Sequence, residues 1–346
     1  MGDSALLRVI DANLNRASEG IRVLEEVARF LLNDEGVTTE LKALRHKVMA
    51  GSPGRTALLS ARGADTDVGA FLEEAVPGES AREDVVGLIA ANAKRVQEAL
   101  RVLEEFCKLA DLPVAPYKEA RFSAYELEKA LLSSVTRRAK RELVRGLYVI
   151  VDPDLSRGRS DLEVARQAIA GGARLIQLRD KKRDKGELLP VARELQHLCT
   201  QAGVLFIVND DVDLALAAGA DGVHVGQKDL PVKAVRAMLP LDKIAGCSTN
   251  NPEEARQAQA DGADYVAVGA IFPTGSKTNT RPAGLDTIRQ VRSAVSLPVV
   301  AIGGINEGNI ALVVEAGADS AAVISTVVSA DDVAAAARSL AAKIVF

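Results

Sequence analysis

The chain has 346 residues, 48% of them hydrophobic and 26% charged, enough for two globular domains of about 100–200 residues each. A net charge of −4, no tryptophan and 3% aromatic residues argue against a nucleic-acid partner, and no apolar run approaches the roughly 18 residues of a membrane span. Cys107, Cys199 and Cys247 lie far apart without CxxC spacing, which excludes a disulfide framework or zinc knuckle and fits a reducing cytoplasm.

Acids and arginines run through residues 1–30, so no signal peptide is expected. Residues 1–141 show helical periodicity and predict an all-α domain. Within it, Asn13-Leu-Asn-Arg16-Ala-Ser-Glu19-Gly-Ile-Arg22-Val-Leu-Glu25-Glu26 returns 79 residues later as Asn92-Ala-Lys-Arg95-Val-Gln-Glu98-Ala-Leu-Arg101-Val-Leu-Glu104-Glu105. Arg, Glu and Arg recur three apart on one helix face, while Val23/Leu24 and Val102/Leu103 face a core. A duplication must retain its apolar pattern but not particular surface charges, so the repeated polar residues point to a role beyond solvation. A pseudo-symmetric helix pair in a bundle is the expected architecture.

Between the repeats, Arg62-Gly-Ala-Asp65-Thr-Asp67-Val-Gly69 combines carboxylates, glycines and a cation. Such a loop can hold a metal and a phosphate, although a solvated turn is the commoner reading. Tyr117, Arg121 and Tyr125 follow at helical spacing and read as core residues with a snorkelling arginine. The basic run Thr136-Arg-Arg-Ala-Lys-Arg-Glu-Leu-Val-Arg145 reads as an exposed linker helix rather than a nucleic-acid patch, with the domain boundary at 141–146.

Residues 142–346 change pattern to short apolar strands alternating with amphipathic helices. Eight strands are expected at 147–151, 175–178, 205–208, 222–225, 244–247, 265–268, 299–302 and 321–324. Gly172-Ala, Gly219-Ala-Asp221, Gly262-Ala-Asp264 and Gly317-Ala-Asp319 punctuate them, each glycine falling where a helix should end. Eight regular units with no GxGxxG after the first strand favour a (β/α)8 TIM barrel over a doubly wound open sheet.

Barrel active sites gather at the C-terminal ends of the strands, and those ends sort into three chemical groups here. Asp210 and Asp229 are carboxylates on adjacent strands, suited to Mg2+. Gln177, Arg179 and Lys181 leave strand 2 at every second position, and Arg179, Lys181 and Lys277 supply cations for a diphosphate. Gly303-Gly304 and Ile324-Ser325, on strands 7 and 8, suit a monophosphate held by backbone amides. No Ser-His-Asp or Cys-His constellation is evident, and His224, inside strand 4, reads as structural.

Gln177-Leu-Arg179-Asp-Lys181, Asn209-Asp210, Gly222-Val-His-Val-Gly226-Gln227-x-Asp229, Gly269-Ala-Ile-Phe-Pro273-Thr274-x-Ser276-Lys277 and Ile302-Gly-Gly-Ile305 resemble thiamine phosphate synthase, in the correct order, across residues 146–346. The resemblance implies condensation of 4-amino-2-methyl-5-(diphosphooxymethyl)pyrimidine with hydroxyethylthiazole phosphate, with release of pyrophosphate by a dissociative, Mg2+-assisted route. It places Gln177, Arg179, Lys181 and Asn209 against the pyrimidine diphosphate and Asp210 and Asp229 on Mg2+. Ser248 and Lys277 would contact pyrophosphate, Thr274 and Ser276 would lie near the thiazole, and Gly304, Ile324 and Ser325 would hold its phosphate. Asp180 departs from the family's usual glutamate and should point away from the site, and Cys247 before Ser248 is also unusual.

Asn13-Leu-Asn-Arg16, Arg22-Val-Leu-Glu25-Glu26, Arg62 to Gly69 and Arg121 to Glu128 resemble a helical domain fused ahead of such synthases. That resemblance implies phosphorylation of hydroxymethylpyrimidine phosphate with ATP, although no GxxxxGK[ST] loop is present. The alternative is a thiazole phosphate-binding or isomerising barrel carrying a non-catalytic helical scaffold. A homo-oligomer is left open by the sequence.

Overall fold

A computed structural model describes residues 3–62, 84–273 and 283–344. The chain divides into two compact units, Met1–Thr136 and Arg137–Phe346.

In the first unit α1 (Asp3–Glu26), continued by a π-helical turn over Val27–Leu31, packs along α4 (Val85–Leu109). Beside them lie α2 (Glu35–Ala50) and α3 (Arg55–Ala61), and α5 (Ala115–Glu142) adds Tyr117, Leu127 and Leu131 to the same core. Asp34 and Asp84 start α2 and α4, their carboxylates accepting from Val37 N and Gly87 N as N-caps do. The repeat occupies α1 and α4, and its two copies make the same bonds. Asn13 Nδ2 donates to Val9 O at 2.8 Å and Asn92 Nδ2 to Leu88 O at 2.9 Å.

Glu25 and Glu104 are fully buried carboxylates at equivalent positions. Arg22 and Arg45 bind Glu25 at 3.0 and 3.3 Å, while Arg101 and Arg121 bind Glu104 at 3.0 and 2.6 Å. Burial acts to raise the Glu104 carboxyl, but Arg121 and then Arg101 outweigh it and hold it below its ordinary value. Buried ion pairs of this kind resist removal of either partner, at a cost of about 3–5 kcal/mol. Arg121 is therefore an ion-pair partner, more than a snorkelling residue. Arg16, Glu19, Arg95 and Glu98 remain exposed on the same helices.

The second unit is a closed barrel of eight parallel strands, in which each strand pairs with its sequence neighbour and β8 pairs with β1. They are β1 (Gly146–Val151), β2 (Ala173–Leu178), β3 (Leu205–Asn209), β4 (Gly222–Val225), β5 (Ile244–Thr249), β6 (Tyr265–Gly269), β7 (Val299–Ile302) and β8 (Ser320–Val323). Alternate side chains face inward, and Tyr148, Ile150, Leu175, Leu205, Ile207, Ile244, Tyr265, Ala267, Val300 and Ala322 form the interior cluster. The other face of each strand packs against the surrounding helices in a separate, larger cluster. Several ends differ from expectation by one or two residues, and two of them bear on the site. β5 runs on to Thr249, placing Ser248 on the strand itself. β8 stops at Val323, because Ile324 is the N-cap of a one-turn helix, Ser325–Val328.

The Gly-Ala-Asp punctuation acts at the opposite face of the barrel. Gly172, Gly219, Gly262 and Gly317 all have positive φ, as expected where helices end. The aspartates do more. Asp221, Asp264 and Asp319 each accept the backbone N–H of Phe206, Ala245 and Val299, at 3.1, 2.9 and 2.9 Å. Their own N–H groups donate back to the same three residues. Cations complete the arrangement: Lys140 on Asp221 at 3.0 Å, Arg137 on Asp264 at 2.9 Å and Arg292 on Asp319 at 2.8 Å. The basic run is thus no exposed linker helix throughout, because Arg137 is largely buried against an acid 127 residues away.

Gly246 is an interior position where a close approach by a side chain demands glycine. It pairs with both His224 and Tyr265 in register, and a Cβ there would lie 2.1 Å from the Tyr265 ring. Gly246→Ala should lower stability by about 1–3 kcal/mol, as overpacking of a filled core does. Urea unfolding checks this, and an unchanged midpoint would mean that the ring has room to move.

Candidate active site

Strand alternation extends the barrel interior into a polar layer at the C-terminal ends. On β1 the inward series Tyr148, Ile150 continues to Asp152, and on β2 Leu175, Gln177 continues to Arg179. Asp152 is buried and its carboxylate binds Arg179. The other Asp152 oxygen accepts Asp154 N at 3.1 Å, which fixes the acid and hence the guanidinium.

Asp180 turns away from this layer and organises the loop after β2. Its carboxylate accepts Lys182 N at 2.7 Å, Arg183 N at 3.0 Å and Arg183 Nε at 2.6 Å, and Arg183 also reaches Asp161. Lys181 is left exposed, its Nζ 3.7 Å from Asp210. Ion pairs from Lys182 to Asp154 and from Lys185 to Asp211 and Asp213 bind this loop to the segments that follow β1 and β3.

Asn209 closes β3, and Asp210 follows in the left-handed region at φ +62°. Aspartate tolerates that conformation better than most residues, and such outliers concentrate at functional sites. Asp210 N donates to His224 O at 2.8 Å, which anchors the turn to β4. Asp229 lies in the turn after β4, its carboxylate accepting Gly226 N at 2.8 Å. Burial pushes the Asp210 carboxyl up to about 6, the hydrogen bond and charge of Asp229 push it the same way, and Lys181 opposes them. Two hard oxygen donors this close repel each other, and a divalent cation relieves that repulsion.

Ser248 on β5 is held from two sides. His224 Nε2 is 2.9 Å from Ser248 Oγ, and Gln227 Nε2 donates to Ser248 O at 2.6 Å. Buried Cys247 lies 3.7 Å from the same Gln227 nitrogen, and burial pushes its thiol up to about 11, leaving it protonated. Below the polar layer Gln177 Nε2 donates to Tyr148 Oη at 2.7 Å, Tyr148 Oη is 3.2 Å from Tyr265 Oη, and Tyr265 Oη is 3.1 Å from His224 Nδ1. Gly304, at φ +67°, has its carbonyl bound by Asn309 Nδ2 at 2.9 Å, and Thr326 Oγ1 donates to Ile305 O at 2.7 Å. These bonds fasten the turn after β7 to the helix that begins at Ser325.

Gln177, Arg179, Lys181, Asn209, Asp210, Asp229, Ser248, Gly304, Ile324 and Ser325 therefore all lie at the C-terminal ends of the strands. Thr274, Ser276 and Lys277 lie outside the described residues, as do Asp65 and Asp67. Asp152, Tyr148, Tyr265 and Gln227 are additional polar participants, and His224 touches Ser248 directly. The available signal was two of the chain's four tyrosines at inward strand positions, where aliphatic residues are the norm.

A family model described as thiamine monophosphate synthase matches residues 147–327, and one described as the ThiD2 family matches residues 8–130. The thiamine-phosphate synthase of Thermosynechococcus vestitus is 42% identical, across 97% of this chain and 94% of its own length. That of Methanocella arvoryzae is 56% identical, across 57% of this chain and 93% of its own. A solved thiamine phosphate pyrophosphorylase from Pyrococcus furiosus superposes with a TM-score of 0.55 at 39% identity, covering 59% of this chain and 97% of that one. Among the described residues no helix is long and apolar enough to cross a membrane.

The Asp210 carboxyl predicts a pH dependence. In the metal-free fold it takes up its proton near pH 6, against an ordinary value of 3.8. Between these values the folded chain binds more protons, so this group stabilises the fold as pH falls from 6 toward 4. Asp210→Asn should remove that slope and raise stability near neutral pH by about 1–2 kcal/mol. Urea unfolding in chelator at several pH values measures the difference; parallel wild-type and variant curves would contradict it.

Proposed function

The chain belongs to the thiamine-phosphate synthase family, and from that membership we infer that its barrel is a transferase joining the pyrimidine diphosphate to hydroxyethylthiazole phosphate, with release of pyrophosphate. The observation that carries the site assignment is the Asp210–Asp229 carboxylate pair beside Lys181, with Arg179 held by Asp152 at the end of β2. Anionic and cationic groups side by side suit a metal-bound diphosphate better than either a bare anion or a bare cation.

Asp210 and Asp229 fit Mg2+, which takes one or two carboxylates and completes its shell with phosphate oxygens and water. When bound there it would neutralise charge on the diphosphate. Arg179 and Lys181, with Lys277, hold the leaving group while the methylene–oxygen bond breaks and the electron pair departs with pyrophosphate. Ser248 donates to an oxygen of that group. The aminopyrimidine delocalises the positive charge left on the methylene carbon, with Gln177 and Asn209 orienting the ring.

Gly304, Ile324 and Ser325 anchor the thiazole phosphate, with Thr274 and Ser276 beside the thiazole, so that its nitrogen meets the methylene carbon. Positioning and stabilisation of the departing charge supply the catalysis. A thiazole phosphate-binding or isomerising barrel would have no use for the carboxylate pair and the two cations together.

The first unit is read as the kinase that forms the pyrimidine diphosphate from hydroxymethylpyrimidine phosphate and ATP. The match of its residues 8–130 to the ThiD2 family supports this, and the rival reading is a scaffold. Incubating the full chain with ATP and hydroxymethylpyrimidine phosphate should yield ADP and the diphosphate; folded, synthase-active protein that forms neither would favour the scaffold. In the barrel, Lys181→Ala should reduce kcat/KM by about 10²–10³-fold with folding intact, the usual loss for one preorganised charge-stabilising contact. Wild-type turnover by that variant with both substrates and Mg2+ would remove Lys181 from the mechanism.

A further inference from the structure

Four hydrogen bonds in series run from Gln177 to Ser248 through the middle of the barrel. They link Gln177 Nε2 to Tyr148 Oη at 2.7 Å, Tyr148 Oη to Tyr265 Oη at 3.2 Å, Tyr265 Oη to His224 Nδ1 at 3.1 Å, and His224 Nε2 to Ser248 Oγ at 2.9 Å. Strands β2, β1, β6, β4 and β5 each contribute one residue. Gln177, Tyr148, Tyr265 and His224 are all buried, so an unused proton in the chain would carry the desolvation penalty of an unsatisfied donor.

That penalty sets a polarity. The Gln177 amide nitrogen can only donate, so Tyr148 Oη is an acceptor at that end. Running onward, Tyr148 donates to Tyr265, Tyr265 donates to Nδ1, and the neutral imidazole donates from Nε2 to Ser248 Oγ. The phenol protons and the imidazole proton then all have acceptors. In the reverse polarity Tyr148 accepts from both neighbours, and its own proton has no acceptor among the described residues. Burial pushes both phenols upward, which keeps them protonated as the series requires. The imidazole is also held in place, stacked on Tyr265 with ring centroids 5.5 Å apart and planes 24° from parallel.

The geometry points to Tyr148, Tyr265 and His224 as positioning residues that act through the two ends of this chain. His224 fixes Ser248 Oγ as an acceptor on its inner side, so the Ser248 proton must point outward as a donor to an anionic oxygen of the departing group. At the other end Tyr148 accepts one of the two Gln177 amide protons and so fixes the amide with its nitrogen toward the interior, which presents Oε1 to substrate as an acceptor for an N–H donor such as a ring amino group. The barrel interior thereby sets which end of each group faces the reaction, one a donor and the other an acceptor. This rests on the assignment above that Ser248 and Gln177 contact substrate.

Tyr265→Phe tests it with little change of shape. Without the phenol proton, Nδ1 loses its donor, the imidazole can carry its proton on Nδ1, and Nε2 can then accept from Ser248, turning the hydroxyl inward. In the full-length protein with Mg2+ and both substrates, Tyr265→Phe and Ser248→Ala should each lower kcat by about 10–100-fold while KM changes little. The double variant should stay within about twofold of Ser248→Ala alone, because both changes remove one contribution.

Nitrogen-15 NMR should show His224 protonated on Nε2 in the wild type and shifted toward Nδ1 in Tyr265→Phe, with His224→Gln assigning the resonance. His224→Gln, which retains an amide N–H near Nε2, should recover part of the activity lost in His224→Ala. A multiplicative double variant, or an Nδ1-protonated ring in the wild type, would overturn the inference. If Ser248→Ala keeps full activity, the substrate assignment of Ser248 fails instead. If Ser248→Ala is impaired and Tyr265→Phe is not, the assignment stands and the positioning role falls.

Discussion

The repulsion between Asp210 and Asp229 is the interaction on which the rest of the site depends. Nothing in a stable barrel needs a carboxyl that burial, and then a second acid beside it, push up to about 6. The fold nevertheless enforces the pair. Asp210 is bent into the left-handed region immediately after β3, and Gly226 N fixes Asp229 in the turn after β4. Lys181 offsets only part of the repulsion from 3.7 Å away. A divalent cation and a polyanion arriving together would relieve that repulsion, and on the reading proposed above the binding energy would go to the leaving group whose charge grows in the transition state. Asp152 performs a similar service for Arg179, holding the guanidinium in place before substrate binds.

The two faces of the barrel divide the work. At the N-terminal face Asp221, Asp264 and Asp319 clamp the starts of the preceding strands and are neutralised by Lys140, Arg137 and Arg292. These contacts are structural, as expected of that end. At the C-terminal face the polar groups are only partly satisfied by one another and have capacity left for ligands. Between the faces, the interior carries a hydrogen-bonded series in place of a wholly apolar core. Its inner members, Tyr148, Tyr265 and His224, are buried and hydrogen-bonded on both sides, which makes them rigid. Gly246 makes the series possible, since only a missing Cβ lets the Tyr265 ring lie beside His224.

Much of this was legible in the sequence. Parallel strands buried on both faces read as apolar runs, and the glycines that end the helices mark their spacing, so all eight strands were found within two residues at either end. Arg179, Lys181, Asp210 and Asp229 stood out because charge at the end of an apolar strand is unexpected. Tyr148, Tyr265 and Asp152 did not, because an inward residue on a strand looks like core until closure of the barrel supplies its partner. Tyr148 and Tyr265 are 117 residues apart in sequence. The same limit hid the burial of Arg137, whose partner is fixed by the Gly-Ala-Asp turn before β6. In the helical unit the repeat was visible, but the burial of Glu25 and Glu104 depends on Arg45 and Arg121, which lie outside the repeated segment.

We read the carboxylate pair and the neighbouring cations as one site for a metal-bound diphosphate. Calorimetric titration of the full chain with Mg2+, with and without inorganic pyrophosphate, tests it most directly. Pyrophosphate should strengthen Mg2+ binding at least about tenfold, a coupling of roughly 1.4 kcal/mol, and Asp210→Asn should abolish this coupling. Mg2+ and pyrophosphate binding independently of one another, or coupling that survives intact in Asp210→Asn, would contradict it.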